Sequence, residues 1–420
     1  MIQGKIEGIS DDGLGTLEKD GRLIYVPFAY PGDMVVVKGT KRRFGRRIAT
    51  DFELIGESPL RQGARCPHFG TCGGCLWQGL KYREGLRLKA EIFERTTGIS
   101  APVKGSPKVW GFRNVSNFIV TSEGIGLKEY GNPLGVVDLR ECPVFSKKTP
   151  EYLRALRNFL KETGLRPWNL RRKTGDVHYL QVREGKFTGE VMVNLIAHVK
   201  PSGEMLEAFK NYFSLADSLY WSLKRDERDD PRGEAGLAAG EPYIRERVGN
   251  VTYLIHPNSF FQTNSHALTL LLRAVEDFTD GERVLDLYSG VSTFGVWLAK
   301  RGFKVEGVEL NPFAVEMANK NALINGVNAV FKIGRAEETA IGDYDTVIVD
   351  PPRKGLREVA ELLVKSGVER VIYVSCNPRA FKFDYERHLK NAYRVENAVL
   401  IDMFPHTPHV EAVVELVRKE

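Results

Sequence analysis

The chain has 420 residues, 42% of them hydrophobic and 27% charged, with a net charge of +6. Length alone suggests about three domains, and the composition is that of a folded globular protein rather than a disordered or fibrous one. No run approaches the eighteen apolar residues of a membrane-spanning helix, and the opening MIQGKIEGISDDG lacks the apolar core and cleavage site of a secretory signal. The five cysteines, at 66, 72, 75, 142 and 376, are odd in number and three of them are clustered. That usage fits no secreted disulfide framework. It suggests a cytoplasmic protein in which four cysteines serve one purpose and the fifth another.

Residues 1–60 read as short strands at Lys5–Ile9, Gly15–Leu17, Arg22–Pro27, Asp33–Lys38 and Arg47–Leu54, broken by the turns DDG, KDG and PGD. Strands this short and evenly spaced predict a small OB-like β-barrel. KGTKRRFGRR (38–47) carries six cations and no acid. It reads either as a solvated loop or, with Phe44 among the cations, as a surface for single-stranded nucleic acid.

RCPHFGTCGGCLWQ (65–78) follows, then a helical pattern from Leu80 to about Thr97. From 102 to about 250 the pattern is mixed, with strands near Asn117–Thr121, Val136–Leu139, His178–Arg183 and Glu190–Ile196 and a helix near 150–163. RDERDDPRGEAGLAAGE (225–241) reads as an exposed loop. Cys66, Cys72 and Cys75 with the remote Cys142 suit either tetrahedral zinc or an iron–sulfur cubane. Spacing leaves that choice open.

From about 251 strands alternate with helices. Arg283–Tyr288, Lys304–Glu309, Ala329–Ile333, Thr346–Asp350 and Arg370–Ser375 read as buried parallel strands, and Arg394–Asp402 with Val410–Arg418 as a closing antiparallel pair. The series predicts a doubly wound α/β sheet with its ligand above the carboxyl ends of the strands. VLDLYSGVSTFGVWLA (284–299) reads as strand, glycine turn and helix, and resembles the S-adenosylmethionine loop of class I methyltransferases. Glu309, 23 residues after Asp286, is placed to accept both ribose hydroxyls. Asp350 ends the fourth strand in VDPPRKG, where Arg353 stands in place of the aromatic residue expected for methylation of a planar nitrogen. Cys376 ends the fifth strand in VSCNPR, at the ligand-binding edge, where a nucleophile would be rigidly held. Glu411 opens the last strand and should fold back beside Cys376.

Asp350-Pro-Pro-Arg, Ser375-Cys376-Asn377-Pro378 and His409-Val-Glu411, in that order after DLYSGVSTFG, resemble the RNA (uracil-5-)-methyltransferases. NSFFQTN (258–264) resembles that family's further cofactor motif, residues 1–60 its TRAM domain, and GARCPHFGTCGGCLWQ with ECPVF (141–145) its [4Fe–4S] segment. The likeness covers nearly the whole chain and is weakest from 150 to 245. It implies a TRAM barrel (1–60), a mixed α+β iron–sulfur domain (61–250) and a class I, Rossmann-like methyltransferase domain (251–420). It also implies Cys376 as nucleophile, Glu411 as base, and Gln262, Tyr288, Glu309 and Asp350 as S-adenosylmethionine contacts. Cys66, Cys72, Cys75 and Cys142 would hold a [4Fe–4S] cluster. RNA cytosine-5 methyltransferases generally carry a second cysteine in the fourth-strand motif; DPPRKG has none, which favours uracil. The expected partner is RNA, with the T-loop uridine 54 of tRNA placed first and 23S rRNA as the alternative, and with no membrane or obligate protein partner. A non-catalytic RNA-binding protein that keeps barrel and cluster is the contrasting reading.

Overall fold

The computed structural model describes residues 1–420. The first six strands are β1 (Ile2–Lys5), β2 (Gly8–Ile9), β3 (Gly15–Lys19), β4 (Arg22–Val26), β5 (Met34–Arg43) and β6 (Arg46–Gly56). They form one coiled sheet in the order β1-β5-β6-β4-β3-β2. Alternate side chains such as Leu17, Ile24, Val26, Val35 and Val37 fill its interior. β5 and β6 run beyond this core as a hairpin whose tip is Phe44-Gly45, both residues at positive φ. The cationic segment 38–47 is therefore a projecting two-stranded arm rather than a loop, and Phe44 is 90% exposed at its end.

The middle of the chain builds a seven-stranded sheet. Its strands are β8 (Val115–Val120), β9 (Ile125–Glu129), β10 (Asn132–Asp138), β11 (Val177–Glu184), β12 (Val191–Ala197), β13 (Ser218–Leu223) and β14 (Glu234–Gly240), in the order β10-β9-β8-β11-β12-β13-β14. Helices α2 (Thr149–Thr163) and α3 (Gly203–Tyr212) pack on one face through Leu156, Phe159 and Phe209. The stretch 225–241 departs from the expected loop, because its Gly/Ala-rich second half is the edge strand β14, paired with β13. Small side chains gave no period-two apolar signal there; the strand is recruited by the backbone of β13.

Ahead of that sheet, α1 (Tyr82–Thr97) and β7 (Val103–Lys104) run along the last part of the fold. A hairpin of β15 (Ile244–Val248) and β16 (Val251–Ile255) leads into it. There α4 (Ser265–Phe278), β17 (Arg283–Leu287), α5 (Thr293–Ala299), β18 (Lys304–Glu309), α6 (Pro312–Ile324), β19 (Ala329–Ile333), β20 (Thr346–Val349), α7 (Glu358–Ser366), β21 (Arg370–Ser375), α8 (Pro378–Asp384), β22 (Tyr393–Ile401) and β23 (Glu411–Arg418) follow in turn. The eight-stranded sheet has the order β19-β18-β17-β20-β21-β23-β22-β7. β17 to β21 are parallel and β23 is antiparallel to both its neighbours. The central strands β20 and β21 are covered on both faces and read as nearly continuous apolar runs, whereas β18 and the edge strand β19 carry charged, exposed residues. Val284, Ile348 and Ile372 face α4, α5 and α6, whereas Leu285, Val347 and Val371 face α1, α7 and α8. α1 is fixed by the fully buried Lys89, whose Nζ donates to an Asp402 carboxylate oxygen and to the Phe404 carbonyl. No helix is long and apolar enough to cross a membrane.

Candidate active site

The carboxyl edge of the large sheet gathers the acids and the cysteine predicted from sequence. β17 runs into a turn in which Tyr288, Gly290 and Ser292 all take positive φ. Among these, only glycine adopts such a φ without strain. Nothing lies within 4 Å of where a Gly290 Cβ would stand, so the turn is open to a ligand. Two buried oxygens beside it, Asp286 Oδ1 and Ser289 Oγ, have no hydrogen-bond partner in the protein. Asp286 Oδ2 accepts from the Gly295 amide at 3.2 Å and from Ser292 Oγ at 3.4 Å. Burial, with Asp350 nearby, pushes the Asp286 carboxyl up to about 8. Orphaned acceptors at such a turn fit a ligand that brings an ammonium group or hydroxyls, as S-adenosylmethionine does.

Glu309 is held at the end of β18 by two amides, Gly290 N–H at 3.1 Å to Oε2 and Asn311 N–H at 2.8 Å to Oε1. Each oxygen keeps a free lone pair for a ribose hydroxyl. Asn311 also caps α6 through the Phe313 amide, so the carboxylate sits on a fixed helix start. Gln262 is buried in the loop after β16, and its carboxamide makes no hydrogen bond within the protein. Its backbone carbonyl accepts from Asn114 Nδ2 at 2.7 Å.

Asp350, Cys376 and Glu411 meet through strand register. Ser375 pairs with Ala412 across antiparallel β21 and β23, which sets Cys376 opposite Glu411. β20 runs beside β21 with Val349 opposite Tyr373, bringing Asp350 to the same edge. Burial pushes the Cys376 thiol up, and Glu411 and Asp350 add to this; the Arg353 guanidinium opposes them. Burial also raises Glu411 well above the ordinary glutamate range, with Asp350 adding and Arg353 opposing. Asp350 is raised to about 7 by burial.

Sequence reasoning missed the parts that lock this arrangement. Asn377 Nδ2 donates to the Arg353 carbonyl at 2.9 Å, tying the DPPR turn to the SCNP turn. Gly355 has φ +81°, and a Cβ there would stand 2.4 Å from the Asp384 carboxylate, which explains the glycine of PPRKG. That carboxylate in turn accepts from Tyr373 Oη and the Leu356 amide, both at 2.7 Å. In the loop that carries Gln262, the Ser259 carbonyl accepts from the buried Arg183 guanidinium at 2.8 Å. Burial without a carboxylate partner lowers Arg183 to about 10. Asn377 and Gly355 stand in motifs read from the sequence, but the partners they meet were not visible; Arg183, a lone cation on a middle-sheet strand, carries no local motif at all.

Cys66, Cys72, Cys75 and Cys142 line one pocket together with His68, Gln78 and Arg113. None of the five cysteines is in a disulfide. The chain contains no group of three or more His, Cys, Asp or Glu side chains converging on a single metal ion. Burial pushes the Cys75 and Cys142 thiols up to about 12 and about 11. Negative neighbours raise them further: Cys142 acts on Cys75, and Cys72 and Cys66 act on Cys142.

The fold and this edge define a class I methyltransferase with an appended barrel. Family models agree: residues 2–60 match the TRAM domain of tRNA (uracil(54)-C(5))-methyltransferase, 251–371 a methyltransferase small domain, and 335–419 tRNA (uracil-5-)-methyltransferase. The chain is 59% identical to a 23S rRNA (uracil(747)-C(5))-methyltransferase of Pyrococcus abyssi over 100% of both chains. It is 45% identical to a tRNA (uracil(54)-C(5))-methyltransferase of Pyrococcus horikoshii, covering 99% of this chain and 100% of that one. The crystal structure of the Pyrococcus abyssi tRNA (uracil-54, C5)-methyltransferase with S-adenosyl-L-homocysteine superposes with a TM-score of 0.89 at 41% identity, over 99% of each chain. The chain belongs to the RNA (uracil-5-)-methyltransferase family.

Proposed function

We propose that this enzyme transfers a methyl group from S-adenosylmethionine to C5 of a uridine in 23S rRNA, at the position that relatives 58–59% identical to it name as 747. The chemistry rests on one observation: strand register sets Cys376 opposite Glu411 at the edge where the cofactor turn opens. C5 of uracil is too weak a nucleophile to act alone. The Cys376 thiolate adds to C6, the electron pair moves into the ring as an enolate, and C5 gains the nucleophilicity to take the methyl group. S-adenosylmethionine supplies that methyl as a sulfonium electrophile. Asp286, Ser289, Glu309, Gln262, Tyr288 and Asp350 are the residues that would hold the cofactor. Glu411 then removes the C5 proton, the ring electrons return, and the Cys376–C6 bond breaks. Burial raises the Glu411 carboxyl above the ordinary glutamate range, which makes its carboxylate a stronger base for that transfer. Arg353 supports the thiolate form of Cys376 in a site otherwise lined with acids. The uridine must leave its stack for Cys376 to reach C6.

The four cysteines around one pocket support a [4Fe–4S] cluster as a structural element of the middle region. Cubane irons sit apart, each on its own thiolate, so pocket-lining cysteines suit a cluster better than a single ion. Iron would also replace the protons that these buried thiols otherwise hold. In the division of labour that follows, 1–60 grips RNA, 61–250 carries the cluster and braces the cofactor loop, and 251–420 does the chemistry.

The sequence alone placed uridine 54 of tRNA first. The TRAM model of the tRNA enzyme across 2–60 and the 0.89 TM-score keep tRNA as the second reading. The higher full-length identity to the rRNA enzymes favours rRNA. Unmodified tRNA and an rRNA fragment containing uridine 747 are to be assayed in parallel, with the product nucleoside identified. The expected result is 5-methyluridine in the rRNA fragment; product in tRNA alone would replace the first reading by the second.

A further inference from the structure

We propose that the outer face of α8, centred on Phe383, is a stacking platform for a nucleobase of the RNA strand that flanks the target uridine; this rests on the RNA-methylating function proposed above. α8 begins two residues after Cys376, so its first turn adjoins the mouth of the active site and its outer face leads away from it. The helix is clamped from below. Phe381 is fully buried against Tyr373, and the buried Asp384 accepts from Tyr373 and the Leu356 amide. Between these two anchors Phe383 points outward, 56% exposed.

An isolated exposed phenylalanine is unremarkable on a protein surface. Phe383 is not isolated in its chemistry. The Arg387 guanidinium lies 5.6 Å from its ring centroid. Together with Arg379, Lys382 and Glu386 they line a shallow open groove. Neither Lys382 nor Arg387 has a carboxylate partner, while Glu386 is turned to Lys390 at 2.6 Å. An aromatic face bordered by unpaired cations is what a single-stranded polyanion with planar bases requires: stacking for the base, charge for the phosphates.

The groove also continues toward the barrel. Arg379 Nη2 donates to Asp11 at 3.0 Å, and Arg46, at the root of the hairpin tip, donates to the neighbouring Asp12 at 2.8 Å. Those contacts place the Phe44 arm and the Phe383 platform on one connected surface, with Cys376 just ahead of the helix that carries the second. A second copy of this chain is the competing occupant, but it would bring the same cations against themselves, a like-charge contact that costs association free energy.

The test compares wild type with Phe383→Ala, Phe383→Trp and the pair Lys382→Gln/Arg387→Gln. Direct binding to both the rRNA fragment and tRNA is measured, with methyl-transfer kinetics and sedimentation alongside. Phe383→Ala is expected to bind the methylated RNA roughly tenfold more weakly, with KM for RNA raised to match, kcat at saturating RNA unchanged, and Phe383→Trp restored. The double glutamine variant should flatten the salt dependence of binding. Wild-type RNA affinity in Phe383→Ala, with product still forming, overturns the platform. So does a wild-type dimer that this substitution dissociates. Absence of product in the wild type with both RNAs would instead overturn the proposed function.

Discussion

Cys376 and the four cysteines around Cys72 are thiols whose protons are held by burial, yet their surroundings differ in one respect. Cys376 faces two acids, Glu411 and Asp350, and a single opposing cation, Arg353. Cys75 and Cys142 sit deeper and face each other and their neighbouring thiols; a hydrogen bond from Gln78 eases Cys75 and one from the Phe145 amide eases Cys142, but Arg113 is the one cation that opposes their burial. A buried thiolate needs a compensating positive charge. At Cys376 that charge is a side chain, which suits the proposed nucleophile. In the four-cysteine pocket one arginine stands against four thiols, which suits the proposed iron in its place. On the proposed reading, this difference in surroundings separates a nucleophile from a ligand set more sharply than cysteine spacing does.

The largest break in this comparison comes from deleting either kind of thiol. Cys376→Ala should reduce methyl transfer by more than roughly 10⁴-fold while RNA binding and bound iron remain as in the wild type. Cys142→Ser should do the reverse, losing iron and sulfide and lowering Tm while the remaining folded protein still turns over. Iron-free anaerobically purified wild type would refute the cluster; a fully active Cys376→Ala would refute the nucleophile. Next in size is Arg353→Gln. Without the guanidinium, the Cys376 thiolate loses its opposing cation, so the rate at neutral pH should fall by about tenfold, equivalent to about 1.4 kcal/mol. The pH–rate profile should also move to higher pH. An unshifted profile would show that Arg353 does not tune the thiol.

The smallest effect is on stability. Asp286 is raised from 3.8 to about 8 in the folded protein and Asp350 from 3.8 to about 7. Between pH 4 and pH 8 the folded state thus holds protons that the unfolded chain has released. Stability must then fall as pH rises through that window. Thermal melts of the cofactor-free protein should show Tm dropping from pH 5 to pH 8. Asp286→Asn should flatten the fall. An equally steep slope in Asp286→Asn would refute Asp286 as its source.

Much of this could be read along the chain, for reasons specific to each region. The catalytic strands were legible to within a residue because both their faces are buried, leaving unbroken apolar runs that end in Asp350 and Cys376. Most barrel strands were legible because DDG, KDG and PGD punctuate them, but the expected strand Lys5–Ile9 is in fact the end of β1 (Ile2–Lys5) and the separate β2 (Gly8–Ile9). β14 was not legible, since Gly and Ala offer no alternation. Nor were Asn114 and Arg183: they act on the 257–265 loop from strands and turns well over seventy residues away.

By itself the sequence determined which chemistries are present, because reactive residues at strand ends are local facts: a thiol, its acids and a glycine turn, each in its own short motif. Only the tertiary structure decided which of them act together. The antiparallel return of β23 puts Glu411 opposite Cys376, and a slip of one residue would turn it to the other face of the sheet. The same holds for Arg353, placed at the thiol by Asn377, and for Phe383, turned outward because Phe381 and Asp384 are anchored inward. Register and anchoring are set by long-range packing of both sheet faces, which no single segment of the chain encodes.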